Sequence, residues 1–247
     1  MREEFDSFIA SAYPELFVDA DDPTKSLMGW GCSHGDGWFQ IINNLCHSIV
    51  EHQRWVNDQR NYSLRINAMI DEAKQGKYDI AREMFSYCKT DDRLMERVAE
   101  AVESGYRDVP KLAKPVRVMQ IKEKFGTLSF YYEGGDEAIR GMVNMAEAIS
   151  GSTCEECGSI GRRRGGGWIK TLCQKHAAEK DYSDDPLGPE VGETIQLFTD
   201  EGYKQVSVVN SLEDGELEVL DKNNATFKVR PLDIGGVELG VFTPVKV

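Results

Sequence analysis

The chain has 247 residues, a formal charge of −13, 40% hydrophobic and 29% charged side chains, ordinary values for a folded protein able to bury a sizeable core. No apolar run approaches the roughly 20 residues needed to span a bilayer. The start, MREEFDSFIASAYPELF, lacks the basic and apolar segments of a signal peptide, so no membrane partner and a cytoplasmic location are expected. There, six cysteines point to metal or redox chemistry before disulfides. The charge is uneven: residues 1–110 carry −8, residues 111–185 carry +1 and residues 186–247 carry −6. Such an acidic chain is repelled by polyanions at long range.

Residues 2–12 predict a short helix with Phe5, Phe8 and Ile9 on one face, ended before Pro14. A Gly-, Asp- and Ser-rich loop follows from Asp19 to Gly37, and Asp36 reads as the N-cap of the next helix. Trp38, Ile41, Ile42, Leu45 and Ile49 recur at helical spacing. Two more helical stretches are expected at about 63–75 and 78–88, split by Gly76. Another begins at Asp91 and Asp92 and stops at Gly105. The pattern then alternates over 116–121 and 127–132 around Phe125-Gly126, which predicts a β-hairpin. Gly134-Gly135-Asp136 leads into a helix over about 137–150 with Ile139, Met142, Val143, Ala146 and Ile149 inward.

The sharpest signal lies at 153–180. Cys154-x-x-Cys157-Gly158 supplies two thiolates from one tight turn. Cys173-x-x-His176 supplies two more donors from one face of a helix start. Between them, Ile160–Arg164 and Trp168–Leu172 can pair around three glycines. Knuckle, hairpin and helix start make a treble-clef-like arrangement. Four protein donors predict one structural zinc per chain, with no position left for a catalytic water.

Other candidates carry competing readings. Arg162, Arg163, Arg164 and Trp168 make either a phosphate- or nucleic-acid-contacting finger or a solvated hairpin with Trp168 packed on the knuckle; the second is preferred. Trp30 and Trp38, set among glycines, form either the aromatic wall of a ligand site or core anchors of a tight loop. Cys32, His34, Cys46, His47 and His52 are read as buried thiols and surface histidines rather than a second metal site. No nucleophile elbow, Walker loop, dinucleotide fingerprint or H-E-x-x-H occurs, so the chain leans away from catalysis.

Residues 181–189 read as a linker, and 190–247 as five short strands at 193–198, 203–210, 215–221, 225–230 and 238–243. Their spacing suggests a small SH3/Tudor-like β-barrel. The expected architecture is therefore α+β: residues 1–152 as a helical region with a hairpin–helix unit, the zinc hairpin at 153–180, and the barrel at 190–247.

Gly35-Asp36-Gly37-Trp38-Phe39, the run Gln120–Tyr132, Gly134-Gly135-Asp136 and the Cys154…His176 motif together resemble a family of uncharacterised phage and prophage proteins. The likeness covers about residues 28–40 and 115–178, and relative to shorter members of that family it implies a helical insertion at about 50–108. It implies a phage accessory protein acting in the host cytoplasm and brings no catalytic residues. A host protein is then the expected partner, bound in counter-defence or host takeover. Nucleic-acid association through Arg162–Arg164 and the barrel is the first alternative, and sequestration of a nucleotide or other small molecule the second.

Overall fold

The computed structural model describes residues 1–165, 168–182, 194–199, 202–211, 217–234 and 237–244. It divides into two compact units. One holds Met1–Lys124 with Leu128–Ile149, and the other holds Phe125–Thr127 with Ser150–Val247. From residue 183 onward the expected linker lies outside the described residues, as do Gly166 and Gly167 of the zinc hairpin's turn.

The first unit begins with helix α1 (Glu3–Ala12). A short 3-10 turn at Asp36–Trp38 then runs into α2 (Phe39–Lys74). Asp36 does not cap this helix through its side chain. Its carboxylate accepts from the backbone N–H of Arg2 at 2.7 Å and from Arg2 Nε at 2.6 Å, a long-range tie that spacing cannot reveal. Helix α2 also corrects the expected break between 49 and 63. It runs unbroken for 36 residues, about 54 Å at 1.5 Å per residue. Residues 50–62 are polar enough to lose the apolar stripe, yet contain no Gly or Pro to stop a helix.

Helix α2 serves two cores. Its first half buries Ile42, Leu45, Cys46, Ile49 and Val50. These pack with Ile9, Leu16, Trp38, and residues from the strands β1 (Lys114–Lys124) and β2 (Thr127–Gly135) and helix α5 (Glu137–Ser150). Its second half buries Ile66, Met69 and Ile70 against α3 (Asp79–Met84) and α4 (Asp91–Ser104), with Ala81, Leu94 and Val98. Thr90, not an aspartate, caps α4, accepting from Arg93 N–H at 3.4 Å. Gly105, at φ 77°, ends it as expected.

The β1–β2 hairpin turns at Phe125 (φ 53°) and Gly126 (φ 81°), the positive pair that a two-residue turn favours. Its edges are covered. Val118 N–H donates to Leu16, and Leu27 and Ser33 N–H donate to Met119 and Ile121. On β2, Phe130 N–H donates to the Glu147 carboxylate at 2.8 Å. Such cover removes an open strand edge. In α5, Ile139, Val143 and Ala146 are buried as predicted, but Ile149 is exposed and Ser150 is interior.

In the second unit, β3 (Arg162–Arg164) and β4 (Lys170–Leu172) pair antiparallel, followed by α6 (Gln174–Glu179). The C-terminal strands are β5 (Thr194–Thr199), β6 (Gly202–Ser211), β7 (Leu217–Leu220), β8 (Thr226–Ile234) and β9 (Val237–Pro244). Each pairs antiparallel with the next. The expected five strands are present within a few residues of their limits. The closure that an SH3- or Tudor-like barrel needs rests on one parallel register pair between β5 and β9, Leu197 with Phe242. Ile195, Leu197, Val206, Val208, Leu217, Val219 and Val229 form the interior. No helix among the described residues is long and apolar enough to cross a membrane.

Candidate metal centre

The donor atoms of Cys154, Cys157, Cys173 and His176 all lie within 4.8 Å of one another, and the four residues could hold a metal ion. All six cysteines are free thiols. The knuckle is built by the backbone. Gly158 N–H donates to Cys154 at 2.9 Å, and Cys154 N–H donates to Ser159 at 2.7 Å. Gly158 takes φ 77°, as the sequence suggested. Cys173 is the N-cap residue of α6, so His176 comes round one turn later on the same face.

The spacing between donors tests the fit. Sγ of Cys157 lies 3.9 Å from Sγ of Cys173. Nδ1 of His176 lies 3.5 Å from Sγ of Cys154 and 3.3 Å from Sγ of Cys173. A tetrahedral ion with bonds of about 2.3 Å to sulfur and 2.0–2.1 Å to nitrogen needs edges of about 3.8 Å between sulfurs and about 3.6 Å from sulfur to nitrogen. These three donor pairs stand near those edges, and the remaining pairs lie within 4.8 Å. Nε2 of His176 faces Glu179, 3.6 Å from its carboxylate, on the side where a ligating imidazole commonly meets a carboxylate. Burial pushes the Cys154 thiol up to about 11. At Cys157 burial acts the same way but is outweighed by hydrogen bonds from Ser159 and the neighbouring thiols, which bring it down to about 6.

Several residues that hold the centre were not singled out from sequence. A Cβ on Gly161 would sit 2.7 Å from Cys154 N, so only glycine lets this backbone pass the knuckle. Glu155, between the two knuckle cysteines, is 2% exposed and meets Lys170 Nζ at 3.1 Å. Burial alone would lower the Lys170 pKa, but Glu155 and Glu156 outweigh it and raise it. Thr171 is buried, and its hydroxyl donates to Gly126 at 2.6 Å. The sequence signal for Glu155 and Lys170 was opposite charge, but their meeting depends on the β3–β4 register.

The arginine triplet is divided. Arg164 is buried. Its Nε donates to Leu172 at 3.2 Å and its Nη2 to Gln174 at 3.2 Å, so it buttresses the strand leading into α6. Arg162 and Arg163 are half-buried. Trp168 is 61% exposed, and so is not packed away on the knuckle as the preferred reading held. Trp30 and Trp38 do not form one wall. Trp38 is wholly interior, beside His34, while Trp30 is 84% exposed. His34 is buried rather than superficial, and burial pushes its pKa down to about 4. His47 is exposed, and His52 is half-buried. Among the described residues, no other group brings three metal-type donors together.

No family model, curated protein or solved structure matches the chain.

Proposed function

We propose that this chain is a zinc-stapled accessory protein, of phage origin, that works by binding a protein of its bacterial host rather than by catalysis. The observation carrying this reading is the complete donor set. Three sulfurs and one nitrogen at tetrahedral spacing favour zinc over harder or square-planar ions. Four protein ligands leave it no open position for substrate or water, so the metal serves the fold. The knuckle, the β3–β4 hairpin and α6 are then a treble-clef-like module, and β5–β9 a small SH3-like barrel, a pairing suited to recognition. The phage assignment rests on the sequence resemblance, and the cytoplasmic one on reduced thiols.

Nucleic acid is the weaker occupant. The charge of −13 opposes it, and Arg164 is committed to Leu172 and Gln174. The test is affinity capture from nuclease-treated bacterial lysate, with metal analysis of the purified chain. About one zinc per chain is expected, lost in Cys157→Ser protein, with a stoichiometric host protein retained by the wild-type chain. Absence of zinc, or retained nucleic acid whose removal abolishes all binding, would overturn the reading.

A further inference from the structure

Among the described residues, Trp30 is the most exposed large hydrophobic side chain, at 84%. A single exposed leucine is ordinary, but tryptophan carries the largest apolar surface and is usually well covered. Its turn is not loose. Leu27 N–H donates to Met119 at 2.8 Å, and Ser33 N–H donates to Ile121 at 3.2 Å, tying both ends to β1. Within it, Met28 N–H donates to the Ser26 hydroxyl at 3.1 Å, and that hydroxyl donates to Val118 at 3.1 Å. Cys32 N–H donates to Asp6 at 3.0 Å. Both neighbours of Trp30 must be glycine. A Cβ on Gly29 would lie 2.8 Å from the Ala20 carbonyl oxygen, and one on Gly31, at φ 73°, would lie 2.8 Å from the Asp6 carboxylate. The backbone is clamped on both sides while the indole points into water.

The surroundings are strongly charged. Residues 1–37 contain eight acidic and two basic side chains, a net −6. Asp19, Asp21 and Asp22 flank Ala20, the residue against which Gly29 packs. Lys25 lies 3.7 Å from Asp19 and 2.9 Å from Asp22, and Arg117 lies 3.3 Å from Asp19, so Asp19 is paired twice while Asp21 stands exposed.

We infer that Trp30 is a preformed anchor for a basic protein, entering an apolar pocket rimmed by lysines or arginines that face Asp21 and Asp22. This rests on the protein-binding reading above and names the chemistry of the partner. Tryptophans are enriched at the centres of interfaces, and a turn fixed in advance avoids the ordering cost of binding. The carboxylates would steer a basic surface onto it. Nucleic acid does not fit, because the same charge repels phosphates. A second copy does not fit either, because a two-fold contact would press this acidic surface against itself.

The test places a photo-crosslinking p-benzoylphenylalanine at position 30 of the full chain, and in a second protein at position 168, in nuclease-treated bacterial lysate. Position 30 should yield adducts with one basic protein, reduced about tenfold or more when salt is raised from about 0.15 to 0.5 M. With that protein purified, Trp30→Ala should weaken binding about 30-fold or more without changing thermal unfolding, and Asp21→Lys should slow association. Adducts with an acidic protein, with a second copy, or insensitive to salt would overturn the inference. A protein captured from position 168 but not from position 30 would remove the inference and leave protein binding standing. No protein from either position would remove both.

Discussion

The metal module and the helical lobe at the far end of α2 are of similar modest size but hold together by different means. Among the described residues, the module's buried apolar cluster is only Cys154, Leu172 and Ala177, and one of these belongs to the candidate donor tetrad. The lobe buries Ile66, Met69, Ile70, Ala81, Leu94 and Val98, with Tyr78, Phe85 and others packed against them. A core as small as the first cannot offset the conformational entropy of ordering its chain. A metal held by the tetrad would supply the difference. The lobe needs no such staple, because helical spacing already collects enough apolar surface on one side of three helices.

The largest expected effect removes the metal. Structural zinc sites in small domains carry about 10–16 kcal/mol of apparent binding free energy, and that is folding free energy. Chelation, or Cys157→Ser, should therefore abolish hydrogen-exchange protection across β3, β4 and α6. Protection in α2, α3 and α4 should be unchanged. If the module stays protected after zinc is stripped, its cohesion comes from something other than the tetrad, and the contrast between the regions fails. The reciprocal experiment is Met69→Ala. Met69 is fully buried in the lobe, and truncating it to alanine should cost about 2–5 kcal/mol, from lost transfer energy and the cavity left behind. Exchange should quicken in α3, α4 and the second half of α2, while zinc content holds at the wild-type value. A parallel loss of zinc would show that the lobe and the module do not fold independently.

The same contrast explains what could be read in advance. The tetrad was legible because each donor pair is local: two residues separate Cys154 from Cys157, and two separate Cys173 from His176. The lobe was partly legible from Leu94, Val98 and Gly105, but α2 was split in two because its middle loses the apolar stripe and meets its neighbours through the polar His52, Gln53 and Arg60. The uninterrupted absence of Gly and Pro from 39 to 75 was the signal for continuity. What stayed hidden were pairings set by register or long-range approach. Glu155 and Lys170 were not singled out, because only the β3–β4 pairing brings them together. Arg164 looked like one of three equivalent surface cations, and its burial follows from the same register. Asp36 looked like a helix cap, but Arg2 lies 34 residues away in sequence.

The smallest effect concerns how α2 is secured where its two halves meet. His52 Nε2 lies 2.8 Å from Asp136 Oδ2, while Asp136 Oδ1 accepts from Ile139 N–H at 3.0 Å and starts α5. The partial burial of Asp136 would raise its pKa, but the hydrogen bonds from His52 and from Ile139 and Ala138 N–H outweigh it, and the net shift is downward. A carboxylate lowered in the folded state adds stability that is fully present above its unfolded pKa of about 3.9. That stability is lost as pH falls through the lower, folded value. Asp136→Asn keeps a competent cap, since the two residues cap equally well, and removes only the charge. Because the pair is partly exposed, the expected cost at pH 7 is at most about 1 kcal/mol. The gap from wild type in thermal unfolding should narrow as the pH is taken from 7 to about 3 and close only below the folded value. Asp136→Ala should cost about 1 kcal/mol more at both pH values, because it also removes the cap. A gap for Asp136→Asn that does not narrow at pH 3 would place the effect in a disturbed start of α5 rather than in the link to His52, and the middle of α2 would then be held by the hydrogen bonds of Gln53 with Val116 and of Arg60 with Pro110, beside its two apolar cores.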